Sequence, residues 1–529
     1  MRILKLAVVI LFALSFALVF AQTPPEPVRT QAGLVQGTVE DGIAIYKGVP
    51  FGASTGGEQR WKAPQPPAPW TGVKVTTKFA PACMQNAIAM PAMGMDAVET
   101  SEDCLYLNIW TPAKSAKDKL PVMVWIYGGG FSLGSTSWAL YDGKHLAQKG
   151  VVLVSIAYRL GVFGFTAHPE LTAEQGGHSG NYGLMDQIAG LKWVKDNIAA
   201  FGGDPGKVTI FGESAGGISV SMLAASPLAK GLFQGAISES GGNFSPARAG
   251  TEGGMNMVSL ATAEKNGAAF FAKLGATSLA EARKKTAEEV LKAGPPGMGG
   301  GSWPDFDGYV LLGDQYKLYQ AGRYNDVPVL IGTNSNEGTL FVQTAKADTY
   351  KAGIHTGYGE YAGKMLAVYP GETDEEALHS SQNIFRDTAF AWPTWAWARL
   401  QAQTGKSKVF VYYFSYVPPA PDNPMSRNQG ATHGAEMAFV FGGNFNRMVT
   451  PRPADLTFAD TVSSYWVNFA KTGDPNGRGL PLWPAFTTAH PQVMELNNPP
   501  KPIAVPNMEQ LQTLEGYYAW RRGETAAKQ

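Results

Sequence analysis

The chain is short of cysteine, of charge and of long apolar runs. Cys83 and Cys104 are the only cysteines in 529 residues. That is too few for a disulfide framework, and no further ligands cluster near either thiol to build a metal site. Charged residues make up 16% of the chain, with 43 basic and 43 acidic side chains and no basic block. Tracking a phosphate backbone needs clustered Lys and Arg, so nucleic acid is excluded as a partner. The 62 glycines follow no period and no heptad is sustained, which excludes collagen and coiled coil. No internal repeat is visible. A single long apolar run excludes a multispanning membrane protein.

That run opens the chain. Arg2 and Lys5 supply a positive start, residues 6–20 are apolar apart from one Ser, and Ala21 precedes a polar Gln-Thr-Pro-Pro. The run is about 15 residues, short of the roughly 20 that span a bilayer. With Val19 and Ala21 at the small-residue positions before a cut, residues 1–21 read as a secretory signal peptide. The expected destination is secreted or periplasmic, with no membrane attachment after cleavage. An even pair of cysteines in an exported chain suggests one disulfide, Cys83–Cys104. Closing that loop is worth about 3 kcal/mol in the chain-entropy model.

What remains is rich in apolar and aromatic residues: 44% hydrophobic, with 13 Trp, 20 Tyr and 26 Phe. Two alternating stretches flank Asp41-Gly42 within residues 35–49, a hairpin signal. Residues 105–110, 122–127, 151–158, 208–211, 235–238, 327–331 and 409–414 are strand-like, several of them almost purely apolar. Leu184, Ile188, Leu191, Val194 and Ile198 repeat at helical spacing. Apolar strands alternating with helices predict an α/β fold, a large mostly parallel central sheet with helices on both faces. Loops at 294–302 and 418–430 interrupt the alternation, which resumes after each. Residues 22–529 therefore read as a single domain.

A Gly-x-Ser-x-Gly pattern can mark a strained turn that exposes a serine hydroxyl, and it occurs here around Ser54, Ser132 and Ser214. The turn requires a strand directly before and a helix directly after. Only Ser214 meets both demands, between residues 208–211 and the small-residue, helix-like stretch 215–225. Gly128-Gly129-Gly130 follows the 122–127 strand. Consecutive glycines let backbone N–H groups converge on an oxyanion, a stabilisation worth about 3–4 kcal/mol per donor.

A nucleophilic serine needs a base, and the base an orienting acid, in the chain order Ser, acid, His on such a sheet. His355, His379, His433 and His490 follow Ser214. His379 falls on a polar helix face and His490 in a polar loop; His355 and His433 stay open by pattern. For the acid, Glu337 leaves the carboxyl end of the 327–331 strand, where open α/β sheets place their sites; Asp305, Asp307 and Asp326 are rivals.

Gly212-Glu-Ser-Ala-Gly-Gly217, with Trp125-Ile-Tyr-Gly-Gly-Gly-Phe131 upstream, resembles the type-B carboxylesterase/lipase family, which includes bacterial esterases and cholinesterases. The likeness extends through Gly48-Val-Pro-Phe51, Arg60-Trp61, the 102–110 segment, Asn181-Tyr-Gly-Leu-Met-Asp-Gln187, Phe201-Gly-Gly-Asp-Pro205 and Asn468-Phe-Ala-Lys-Thr-Gly-Asp-Pro475. The resemblance implies an α/β-hydrolase fold and a Ser-Glu-His triad. By position it makes Ser214 the nucleophile, Glu337 the acid and His433 the base. It assigns the oxyanion hole to the N–H groups of Gly129, Gly130 and Ala215, and pairs Cys83 with Cys104. The implied reaction is hydrolysis of a small-molecule carboxylic ester through an acyl-enzyme, without metal or cofactor. The rate should fall as His433 protonates, near or somewhat below neutrality. The alternatives on this fold are a non-catalytic secreted binding or adhesion module, and a lipase or amidase.

One departure is informative. Cholinesterases carry a choline-binding Trp in the first disulfide loop, whereas residues 84–103 hold Met84, Met90, Met93 and Met95 and no aromatic residue. A quaternary ammonium loses its cation–π partner there, which argues against choline esters. The methionines either line an adaptable apolar pocket or fill core.

Overall fold

The parallel strands are apolar because both faces of their sheet are covered. The structure, a computed structural model, describes residues 25–86, 97–248, 256–295, 303–418, 430–443 and 451–524. The proposed signal segment 1–21, Met90, Met93 and Met95, and most of the 294–302 and 418–430 loops lie outside these residues.

Among the described residues eleven strands form one sheet. In chain order they are β1 (Thr38–Glu40), β2 (Ile43–Pro50), β3 (Tyr106–Thr111), β4 (Leu120–Ile126), β5 (Val152–Ile156) and β6 (Gly203–Glu213). They continue as β7 (Gly235–Glu239), β8 (Val329–Asn334), β9 (Val409–Phe414), β10 (Gln492–Leu496) and β11 (Lys501–Ala504). Their spatial order is β11-β10-β9-β8-β7-β6-β4-β5-β3-β2-β1. From β5 through β4, β6, β7, β8 and β9 to β10 every pairing is parallel. Both margins are antiparallel, and β1–β2 is the hairpin expected around Asp41-Gly42.

The apolar pattern placed each central strand within a few residues. β6 starts earlier than residues 208–211 suggested, because its first part, with Pro205 and Gly206, joins the ladder irregularly. Its register against β4 shifts between Gly203 and Val208.

The helices that matter for the site are α1 (Tyr182–Asn197), α2 (Ala215–Ala225), α3 (Ala347–Tyr358), α4 (Asp374–Arg386), α5 (Trp392–Thr404) and α6 (Pro453–Thr472). α1 and α2 pack on each other against β6, and α5 lies against β8 and β9. α6 crosses β4 and β6, with Phe469 beside Gly235 and Trp466 against Tyr412. The resulting core is continuous from Val35 to Tyr518. Cys83 and Cys104 are joined by a disulfide, and Met84 beside it is buried in this core, so at that position core filling is the role observed.

Candidate active site

Several strands end at one edge of the sheet, and their first loop residues meet there. β6 ends at Glu213 and the chain turns at once into α2. Ser214 occupies the turn with φ 56° and ψ −125°, a conformation that an L-residue adopts only under constraint. Its N–H donates to Glu239 O at 2.9 Å, and its carbonyl accepts from Ile218 N at 2.8 Å. The turn also needs close packing of α2 on β4. A Cβ on Gly216 would stand 2.0 Å from Ile126 O, so glycine is the only residue that fits.

Glu337 begins a short 3-10 turn just after β8 and is fully buried. His433 lies in the segment after β9. Its Nδ1 is 2.6 Å from Glu337 Oε2 and its Nε2 is 2.8 Å from Ser214 Oγ. A carboxylate only accepts, so Nδ1 carries the proton and Nε2 is left to accept from the serine hydroxyl. The other Glu337 oxygen, Oε1, accepts from Ser240 Oγ at 2.5 Å and from Asn334 N at 2.7 Å. Glu337 is thereby held at both oxygens.

The glycine run leaves β4 beside the elbow. Gly129, Gly130 and Phe131 all have positive φ, at 104°, 60° and 57°. A Cβ on Gly128 would be 2.9 Å from Ser214 Cβ, so this backbone lies directly against the serine. Ala215 is the first residue of α2, and its N–H has no acceptor within the helix.

The rival residues lie elsewhere. His355 on α3, His379 on α4 and His490 are exposed. Asp305 is buried beside Asn181, which pairs with its backbone. Asp307 caps a turn through the N–H groups of Tyr309, Val310 and Leu311, and Asp326 accepts from Lys406 N and Ser407 N. Ser54 is exposed, and Ser132 Oγ is turned back to Gly130 O.

Sequence reasoning missed the acids around the imidazole. Glu213 Oε1 lies 3.2 Å from His433 Nε2 with no hydrogen bond between them. Glu436 is buried and accepts from Asn334 Nδ2. For Glu213 and Ser240 the only signal was adjacency to a strand end.

Burial opposes a charge on His433, but Glu213, Glu337 with its hydrogen bond, and Glu436 outweigh it and hold its pKa up at about 9. The imidazole sits among carboxylates, which favour its charged form more than water would. Desolvation in turn pushes Glu213 up to about 7 and Glu436 to about 8, with Glu337 adding to both. A proton on Glu213 removes the largest of the charges that raise His433.

Aromatic rings close the apolar side. Phe390 stacks on the imidazole with centroids 4.5 Å apart, and Phe341 lies 5.2 Å from it. Beyond Phe341 and its stacking partner Phe385 is a cavity of about 410 Å³ between α3 and α4. Among the described residues no group of three or more His, Cys, Asp or Glu side chains is arranged to hold a metal ion.

A buried serine on a strained strand-to-helix turn, bonded to an imidazole that is bonded in turn to a carboxylate, defines a class of hydrolytic site rather than one protein. Residues 24–515 match the Carboxylesterase family, and the chain belongs to it. It is 36% identical over 500 residues to fumonisin B1 esterase of Sphingopyxis macrogoltabida, covering 88% of this chain and 86% of that one. It is 37% identical over 476 residues to para-nitrobenzyl esterase of Bacillus subtilis (strain 168), covering 87% and 92%. A solved PNB esterase structure superposes with a TM-score of 0.79 at 35% identity, over 93% of this chain and 100% of that one. The fold is that of an α/β-hydrolase, and the protein is a carboxylic ester hydrolase.

Proposed function

We propose that the protein hydrolyses small-molecule carboxylic esters in two steps through an acyl-enzyme on Ser214. The observation that carries this reading is the unbroken chain Glu337–His433–Ser214, with its bonds of 2.6 and 2.8 Å. His433 Nε2 takes the Ser214 proton as Oγ attacks the ester carbonyl. The N–H groups of Gly129, Gly130 and Ala215 receive the oxyanion. Protonated His433 gives its proton to the leaving alcohol, and water then repeats the sequence on the acyl-enzyme. Glu337 orients the imidazole and balances its positive form without itself taking the proton.

The test is Ser214→Ala with p-nitrophenyl butyrate as substrate. Turnover should vanish while the circular dichroism spectrum and melting temperature stay those of the unaltered protein. An organophosphonate should label the unaltered protein at Ser214 and leave the variant unlabelled. Near-normal turnover by Ser214→Ala would refute the assignment. Matched amide and long-chain ester substrates separate an esterase from an amidase or lipase.

The second part of the proposal is export, with cleavage after Ala21. The Cys83–Cys104 disulfide supports it, since such bonds persist in oxidising compartments. Amino-terminal sequencing of protein recovered from the periplasm or medium should begin at Gln22.

A further inference from the structure

His433 Nε2 has two oxygen atoms within reach, and only one leads to chemistry. Ser214 Oγ is bonded at 2.8 Å, while the buried Glu213 Oε1 waits at 3.2 Å with no hydrogen-bond partner. Glu213 and Ser214 are consecutive, so a small rotation of the ring exchanges one for the other. The exchange is most favourable midway through the reaction, when His433 carries its second proton and faces a carboxylate. An imidazolium turned to Glu213 directs its Nε2 proton away from the leaving alcohol. Productive turnover therefore needs something that holds the ring on the serine side.

Phe390 is placed to do this. It is fully buried, and its plane lies within 20° of the imidazole plane at a centroid distance of 4.5 Å. It is presented by a π-helical turn, Asp387–Ala391, inserted between α4 and α5. Such turns interrupt a helix at single sites and re-aim its side chains, often where function requires it. This one is firmly anchored. Asp387 accepts from Arg386 Nε at 2.7 Å and from Tyr369 OH at 2.8 Å. Arg386 Nη1 also reaches Ser335 O, in the loop that carries Glu337. The element that presents Phe390 is thus tied to the loop that presents the acid.

We propose that Phe390 is a positioning residue of the reaction: stacked on His433, it keeps Nε2 directed at Ser214 and withheld from Glu213. The inference rests on the triad reading above. A ring face is also a favourable neighbour for the imidazolium while it exists.

The test is a double-mutant cycle of Phe390→Leu and Glu213→Gln, read as kcat, KM and melting temperature on p-nitrophenyl butyrate. Phe390→Leu should lower kcat by about 10–100-fold, the order of cost of a misplaced catalytic group, with KM nearly unchanged. In the Glu213→Gln background the same substitution should lower kcat far less, because the competing carboxylate is gone. Phe390→Met, which keeps the volume without the ring, should behave like Phe390→Leu, and Phe390→Tyr should restore kcat. An equal loss in both backgrounds, or a loss that follows melting temperature whatever the ring, would overturn the proposal, since a merely structural side chain acts additively. Ser214→Ala is assayed alongside. If it retains turnover the triad reading itself fails, an outcome independent of how the Phe390 variants behave.

Discussion

Ser240 Oγ donates a 2.5 Å hydrogen bond to Glu337 Oε1, the oxygen opposite the one that holds His433. Ser240 follows β7 directly, with φ 48°, and its own N–H is bound to Gly332 O at 2.9 Å. Its neighbour Glu239 supplies the carbonyl that accepts the Ser214 N–H. One tight turn therefore secures both Ser214 and Glu337, the proposed nucleophile and acid.

Ser240→Ala should consequently impair catalysis without removing any group that touches substrate. Losing a hydrogen bond to a buried charge costs about 1.5–3 kcal/mol. If that loss is felt through His433, kcat falls by about 10–100-fold. KM should change little, because ground-state binding does not involve the acid. Steady-state kinetics on a short-chain p-nitrophenyl ester check this, and a changed KM with kcat intact would contradict it.

Glu213 sets the pH dependence. As the proposed base, His433 must be neutral to act, and the facing carboxylates, with Glu213 the largest contributor, raise its pKa. Activity is then lost as pH falls through a value above that of an ordinary imidazole. Glu213→Gln removes one stabiliser of the imidazolium, so the pKa of His433 falls and the acid limb of kcat/KM moves to lower pH. A pH–rate profile of both proteins decides the point; a limb that stays in place or moves upward contradicts the electrostatic account.

These relationships also mark where sequence reading ended. Residues 122–127 and 151–158 were legible as strands because burial on both faces leaves an apolar run that nothing in a loop imitates. Ser214 was legible because its turn demands a strand before and a helix after. His433 was separated from His355 only by resemblance, since no local pattern says which loop returns to the elbow. Glu213 and Ser240 were marked only by adjacency to a strand end, and Phe390 was not legible at all. Their roles come from the meeting of β6, β7 and the α4–α5 junction in space, and helical periodicity does not announce a π turn.

Gly129→Ala should damage the proposed oxyanion cradle. The residue has φ 104°, and an added Cβ would stand 2.2 Å from Leu133 O, a backbone atom that cannot swing aside. The glycine run must shift, and its N–H groups with it. Displacing one such donor costs about 10²–10³ in kcat. The expected signature is a fall in kcat with phosphonate labelling of Ser214 slowed in parallel, because the tetrahedral adduct uses the same donors. Unchanged labelling with lost ester turnover would place the oxyanion site elsewhere.

The disulfide bears on stability rather than chemistry. Cys83 and Cys104 are 21 residues apart in sequence, and both are buried in the core with Met84. Replacing both with Ser releases the loop between them in the unfolded chain and should cost about 3 kcal/mol. A chain this large is prone to irreversible unfolding, so the loss is best read as a faster thermal inactivation and a lower melting temperature at matched scan rate. Turnover at moderate temperature should stay near normal, because neither cysteine touches Ser214, His433 or Glu337. Adding a reductant to the unaltered protein should reproduce the loss once the bond opens, and should leave the double Ser variant unaffected. A melting temperature that does not respond to either treatment would show that the loop is already held by its packing.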